Sequence, residues 1–172
     1  MASWHNLPFS RFAVALATLG LACVAVPGTP EAATSNVVFN ANITANNRCT
    51  IVVEQDGALG VASNLRQLSS KIAGGSAGVA RVTGQGRYDI SAVTASVFAI
   101  GPTDANTGVT RQVLYSGARI SGGGATFAEK DGSLLTRVTG QHSTRVTMHY
   151  VANRPTAFPG GHYEAIVVLR CE

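Results

Sequence analysis

No stretch of helical length carries an amphipathic pattern once the first 33 residues are passed. That absence excludes helix bundles and alternating βα folds, both of which need several such stretches. Cysteine is scarce, with 3 in 172 residues, and no two stand at C-x-x-C spacing. This argues against a thiolate metal site. The 13 basic residues outnumber the 9 acidic ones, yet they are scattered and not gathered into a stripe with interleaved aromatics. No nucleic-acid partner is therefore expected, and the surplus charge reads as solubility with a weak attraction to anionic surfaces. No Gly-x-Ser-x-Gly elbow occurs, and the run Gly74-Gly75-Ser76-Ala77-Gly78 is not followed by Gly-Lys-Ser/Thr at phosphate-loop spacing.

What is present begins with an address. Arg11 precedes an apolar run from Phe12 to Val26, which Pro27, Gly28 and Pro30 break before the small pair Ala32-Ala33. A positive start, a short apolar core and small residues form a secretory signal peptide. The run falls short of the roughly 20 residues that cross a bilayer. The expected organisation is a signal peptide over residues 1–33 and a single domain over 34–172, found in the periplasm, secreted or at the cell surface, with no membrane span after cleavage. Lipidation at Cys23 is the alternative processing route, from the partial lipobox Leu21-Ala22-Cys23, although Gly20 stands where leucine is usual. Cleavage leaves Cys49 and Cys171, and two cysteines in an exported chain predict one disulfide.

The mature part reads as about ten short strands separated by turn chemistry. Residues 37–45 alternate, with Val37, Phe39, Ala41 and Ile43 on one face and Val38, Asn40 and Asn42 on the other. Extended chain resumes at Cys49, and Asp56-Gly57 turns it into 58–61. Residues 64–71 read as one helical turn, a loop or an edge strand. Residues 79–83 and 88–93 suggest a hairpin around Gly84-Gln85-Gly86. A short apolar strand is expected at 97–100 and a long one at 110–120 with Gly117 near its middle. Residues 125–128 and 133–136 flank an expected turn at 129–132. Residues 144–151 alternate with Val146, Met148 and Tyr150 facing one way. The final stretch is an apolar, β-branched strand entered through Gly160-Gly161. The fold class expected is all-β, an antiparallel sandwich or barrel.

Residues able to do chemistry are few. His142, His149 and His162 are the mature histidines, with His149 on the outer face of its strand; no spacing among them marks a metal site. Asp89, Asp104, Glu129, Asp131, Glu164 and Glu172 fall mainly in turns and strand ends, where solvated surface is the expectation. No catalytic, cofactor-binding or metal-binding residue is assigned.

Three stretches carry a resemblance: Phe39-x-Ala41-x-Ile43 leading to Cys49-x-Ile51; Leu68-Ser69-Ser70; and Phe158-Pro159-Gly160-Gly161-x-Tyr163-x-Ala165-x-Val167. The terminal signature of Gly161, Tyr163, Ala165 and Val167 is the most telling. Together they resemble a bacterial secreted pilin-like domain, similar to spore coat protein U and more distantly to chaperone–usher fimbrial subunits. The resemblance implies an immunoglobulin-like β-sandwich and a structural or adhesive surface subunit, with no enzymatic activity and no cofactor. It implies copies of the chain or a related subunit as partners by strand addition, or a periplasmic chaperone. Two features depart from the fimbrial pattern: the partner of Cys49 is Cys171, not a cysteine on the next strand, and the chain closes on Arg-Cys-Glu without a penultimate tyrosine. The segment 34–45 is either a donated strand, with Val37, Phe39, Ala41 and Ile43 as its inserted face, or the first strand of its own domain. The alternative function is a monomeric binding module for a glycan or anionic ligand; a secreted hydrolase is the third.

Overall fold

The computed structural model describes residues 35–43, of whose side chains only Val37 and Val38 are considered, together with residues 49–172. The expected signal peptide, Cys23, and the side chains of Phe39, Ala41 and Ile43 lie outside the described residues. The described chain is all-β. Its eleven strands are β1 (Ser35–Ile43), β2 (Cys49–Gln55), β3 (Gly57–Val61), β4 (Gln67–Ser69), β5 (Gly78–Gly84), β6 (Arg87–Thr94), β7 (Thr110–Gly122), β8 (Phe127–Asp131), β9 (Thr136–Thr139), β10 (His142–Asn153) and β11 (Tyr163–Cys171).

The strands form one open sheet with two arms. One arm runs β3–β1–β11–β6–β9, and the other runs β2–β5–β10–β7–β8, with β4 beside the far half of β10. β3 joins the arms, pairing β1 through Gly57 to Leu59 and β4 through Gly60 and Val61. Inward residues of both arms make one core. On β11 the alternation is clean, with Tyr163, Ala165, Val167, Leu169 and Cys171 all buried. On β10, Val146, Met148, Tyr150 and Ala152 do the same, as their period-two spacing predicts.

The expected Cys49–Cys171 disulfide is present, with Cα atoms 6.5 Å apart and 122 positions between them in sequence. It ties the start of β2 in one arm to the end of β11 in the other. Closing so long a loop contributes about 4–5 kcal/mol in the chain-entropy account.

Several local expectations are corrected. β5 and β6 do not form a hairpin. β5 has β2 on one edge and β10 on the other, so it has no free edge to offer, and β6 crosses to pair β11 and β9. Likewise β8 pairs β7 while β9 pairs β6. The expected turn at 129–132 begins later, because Glu129 and Lys130 belong to β8. Residues 97–100 are not a strand: Phe98 is buried while Val97 and Ile100 are exposed. This segment folds back on β11, where the Ala99 amide donates to the Glu164 carbonyl at 2.8 Å and the Glu164 amide to Ile100 at 2.9 Å. At 64–71 a three-residue strand forms, and it lies between β10 and β3 instead of at the expected edge. Residues 110–120 do lie in one strand, and Gly117 serves close packing in it. A Cβ there would stand 2.1 Å from the Phe127 ring, which packs edge-on against Tyr115.

Candidate functional site

Three places hold the chemistry-bearing residues. The first is the slot of β1. Its backbone pairs β11 in parallel over nine positions, from Ser35↔Tyr163 to Ile43↔Cys171, and pairs β3 antiparallel on the other edge. Val37 is buried and Val38 half-buried. The terminal signature lines this slot: Gly161 takes a left-handed φ of 148° against Pro102, and Tyr163, Ala165 and Val167 point into the core. The Tyr163 hydroxyl donates to the Pro159 carbonyl at 2.6 Å.

The second place was not legible in the sequence. Ser70 follows β4 and His149 lies on the outer face of β10, 79 positions away, yet Ser70 Oγ is 3.1 Å from His149 Nδ1. Glu129 on β8 lies 4.0 Å from His149 Nε2 and is ion-paired with Lys71. Burial lowers the His149 pKa, opposed by the Glu129 charge and assisted by Lys71. A serine, a histidine and a carboxylate in line invite comparison with a hydrolytic triad. Two observations weigh against that use. Ser70 is 5 % exposed, and its Oγ already accepts the Tyr150 amide at 3.0 Å. With His149 neutral, the hydroxyl donates to Nδ1 and accepts from Tyr150, so the serine stitches β4 to β10.

The third place is the end of the molecule where β7 and β11 begin and β10 finishes. Phe98 is its hub, with ring centroids 5.1 Å from Tyr163, 6.2 Å from Tyr150 and 6.1 Å from Phe158. Arg111 stands opposite Ala152 in the β7–β10 ladder, so its side chain leaves on the inward face. The guanidinium lies over Phe98, 4.7 Å from the ring centroid. One Arg111 nitrogen donates to Asn106 Oδ1, which also accepts the Phe98 amide at 2.8 Å. Burial pushes the Tyr150 hydroxyl up to about 12 against the pull of the neighbouring Arg111 charge. Burial likewise raises Tyr163, with Arg154 pulling it down. The Tyr150 hydroxyl feels Arg111 as a charge, yet the pair lacks hydrogen-bond geometry. The Arg111 charge acts on the hydroxyl as a field, which reaches distances where a hydrogen bond does not form.

His142, His149 and His162 do not come together as a metal site among the described residues. His142 is buried with Nδ1 2.9 Å from the Gly84 carbonyl, and His149 faces outward. Among the described residues no group of three His, Cys, Asp or Glu side chains is placed to hold a metal. Of the candidate acids, Asp89 is held low by Arg137 and Asp131 by Ser133, while Glu129 pairs with Lys71. No family model matches this chain, and no curated protein matches it.

Proposed function

We propose that this chain is an exported, non-enzymatic surface or fimbria-like structural subunit, an immunoglobulin-like, pilin-like sandwich in which β1 is the exchangeable strand. The observation that carries this reading is the position of β1. It lies between β11 and β3, bonded to both, and those two strands belong to the rest of the domain. Vacating the slot would leave two open edges and a groove lined by Tyr163, Ala165 and Val167, the arrangement that accepts an extended segment from another chain.

The disulfide sets the reach. Cys49 is held at Cys171, so the chain before it is a tether that starts at a fixed point. Residues 34–48, fully extended, span about 50 Å at roughly 3.3 Å per residue, enough to enter a neighbouring subunit. The same slot would accept a strand lent by a periplasmic chaperone.

Deletion of residues 34–45 from the mature chain, with the excised peptide supplied in trans, tests the proposal. A soluble truncated domain that binds the peptide and recovers the full-length melting profile supports strand exchange. A product that stays unfolded with the peptide present means β1 serves only its own sheet, and the subunit reading then lacks a mechanism. Phe39→Asp sharpens the test, because an unpaired carboxylate in the groove costs several kcal/mol and should abolish peptide binding.

A further inference from the structure

Six buried side-chain nitrogen and oxygen atoms among the described residues have no hydrogen-bond partner, and they sit at two ends of the molecule. Two of them, Tyr88 Oη and His142 Nε2, belong to rings whose centroids are 4.8 Å apart. His142 Nδ1 must donate to the Gly84 carbonyl, which leaves Nε2 of the neutral ring an acceptor. A hydroxyl donor beside an acceptor is a complementary pair that one water completes.

The other four are different in kind. They are Arg111 Nε, Arg154 Nε, Arg154 Nη1 and Tyr150 Oη. Three are N–H donors that never accept, and the fourth is a hydroxyl able to donate. No ion pair among the described residues involves either arginine. The paired carboxylates are Glu54, Asp89 and Glu129, each held by another cation. Even half-buried guanidinium charge is costly without a counter-ion, and such groups are ordinarily paired. Three obligate donors and a hydroxyl, with two fixed positive charges, repel a metal cation and suit an oxygen anion.

We propose that Arg111 and Arg154, with the Tyr150 hydroxyl, bind an oxyanion, a carboxylate or phosphate group, at this end of the molecule. Arg111 is prepared for it. Its face is packed on Phe98, one of its terminal nitrogens is held by Asn106 and the other points to the Val109 carbonyl at 3.3 Å, so the Nε edge is what remains. Arg154 approaches from the end of β10, next to Tyr163, and its backbone amide is anchored on the Arg66 carbonyl at 2.9 Å. Both arginines are half-buried, so each side chain reaches solvent in part while the unpartnered atoms themselves lie beneath the surface. This site goes beyond the subunit reading and does not depend on β1 exchange, since none of its groups lies on β1.

The mature protein is titrated with sodium phosphate and, separately, with trigalacturonate, at ionic strength held constant by sodium chloride. Binding is read from the thermal midpoint and from the Nε–H resonances of the arginines. Saturable stabilisation with shifts at both Arg111 and Arg154 supports the site. Tighter binding of trigalacturonate identifies the carboxylate of an acidic sugar as the source, and tighter binding of phosphate identifies a free phosphate. Arg111→Gln and Arg154→Gln should each weaken binding by about tenfold or more, the scale of one charge-assisted contact, while Arg137→Gln at the far end leaves it unchanged. The resonance shifts need no variant, so the test stands even where a substitution impairs folding. Ordered water only, recognised by the absence of any saturable response to either probe, overturns the proposal. So does binding that persists in the double variant or leaves both arginine resonances in place.

Discussion

The two ends of this molecule solve the same problem by different means. Each end must hold the arms together where the sheet stops. At one end a covalent bond does so, from Cys49 on β2 to Cys171 on β11. Beside it Asp89 and Glu172 exchange amide–carbonyl bonds at 2.7 and 2.9 Å. At the other end Phe98, Tyr150, Phe158 and Tyr163 form an edge-packed aromatic cluster, capped by Arg111. The difference lies in the nature of the restraint. A disulfide acts mainly by limiting the unfolded chain, whereas aromatic packing stabilises the folded state through area and ring geometry. Among the described residues, the covalent end leaves a complementary polar pair without partners, and the aromatic end leaves three guanidinium nitrogens and a hydroxyl.

The largest expected effect comes from the covalent end. Cys171→Ser should lower unfolding free energy by about 4–5 kcal/mol in the chain-entropy account, measured by urea denaturation of oxidised wild type against the variant. A loss below about 1 kcal/mol would mean that strand pairing at Ile43 and Ile90 already closes this end, and the contrast between the ends would collapse.

The aromatic end gives the next largest effect. Tyr163→Ala removes a ring that is 1 % exposed, together with its bond to Pro159, and should cost about 3–5 kcal/mol. Because the two ends are far apart and share no partner, the loss should add to that of Cys171→Ser within about 0.5 kcal/mol. A double variant departing widely from additivity would show that the ends communicate through β11.

The smallest effect belongs to neither end. His149 sits between them, facing Ser70 and Glu129 with Lys71 nearby, and burial lowers its pKa below 6.5. The neutral form is therefore favoured by folding. The contribution is fully present above the unfolded value of 6.5 and is lost as pH falls through the folded value. Thermal melts from pH 8 to pH 5 should show a decline beginning near pH 6.5, flattened in His149→Gln. An identical pH profile in that variant would remove His149 from the account.

Much of the fold was legible from local pattern. The alternation of Val146, Met148 and Tyr150, the buried positions of β11 and the length of β7 follow from residue spacing, and the disulfide from the pair Cys49 and Cys171. The errors share one cause. At Gly84-Gln85-Gly86 and at Gly132 the chain turns as a hairpin would, but it crosses from one arm to the other, and the strands it joins find partners elsewhere. The run 97–100 misled for a related reason: its apolar residues include one ring meant for the core and two side chains left at the surface. Of the candidate site, Tyr163 was legible, because a tyrosine among inward β-strand positions must bury its ring and find a partner for its hydroxyl. Arg111 and Arg154 were not, since a scattered arginine looks alike whether it faces water or the core.

Which face of each strand is apolar, where glycine permits a turn or a close approach, and which cysteines can meet are written in the order of residues. Those are properties of neighbouring residues, set by the two-residue period of extended chain and by backbone geometry. The pairing of β1 with β11 and β3, the meeting of Ser70 and His149 across 79 positions, and the placing of Arg111 and Arg154 at one end with no ion pair among the described residues all arise in the folded chain. Such pairings depend on which strand edges are free once the others are taken, and that competition plays out over the whole chain at once.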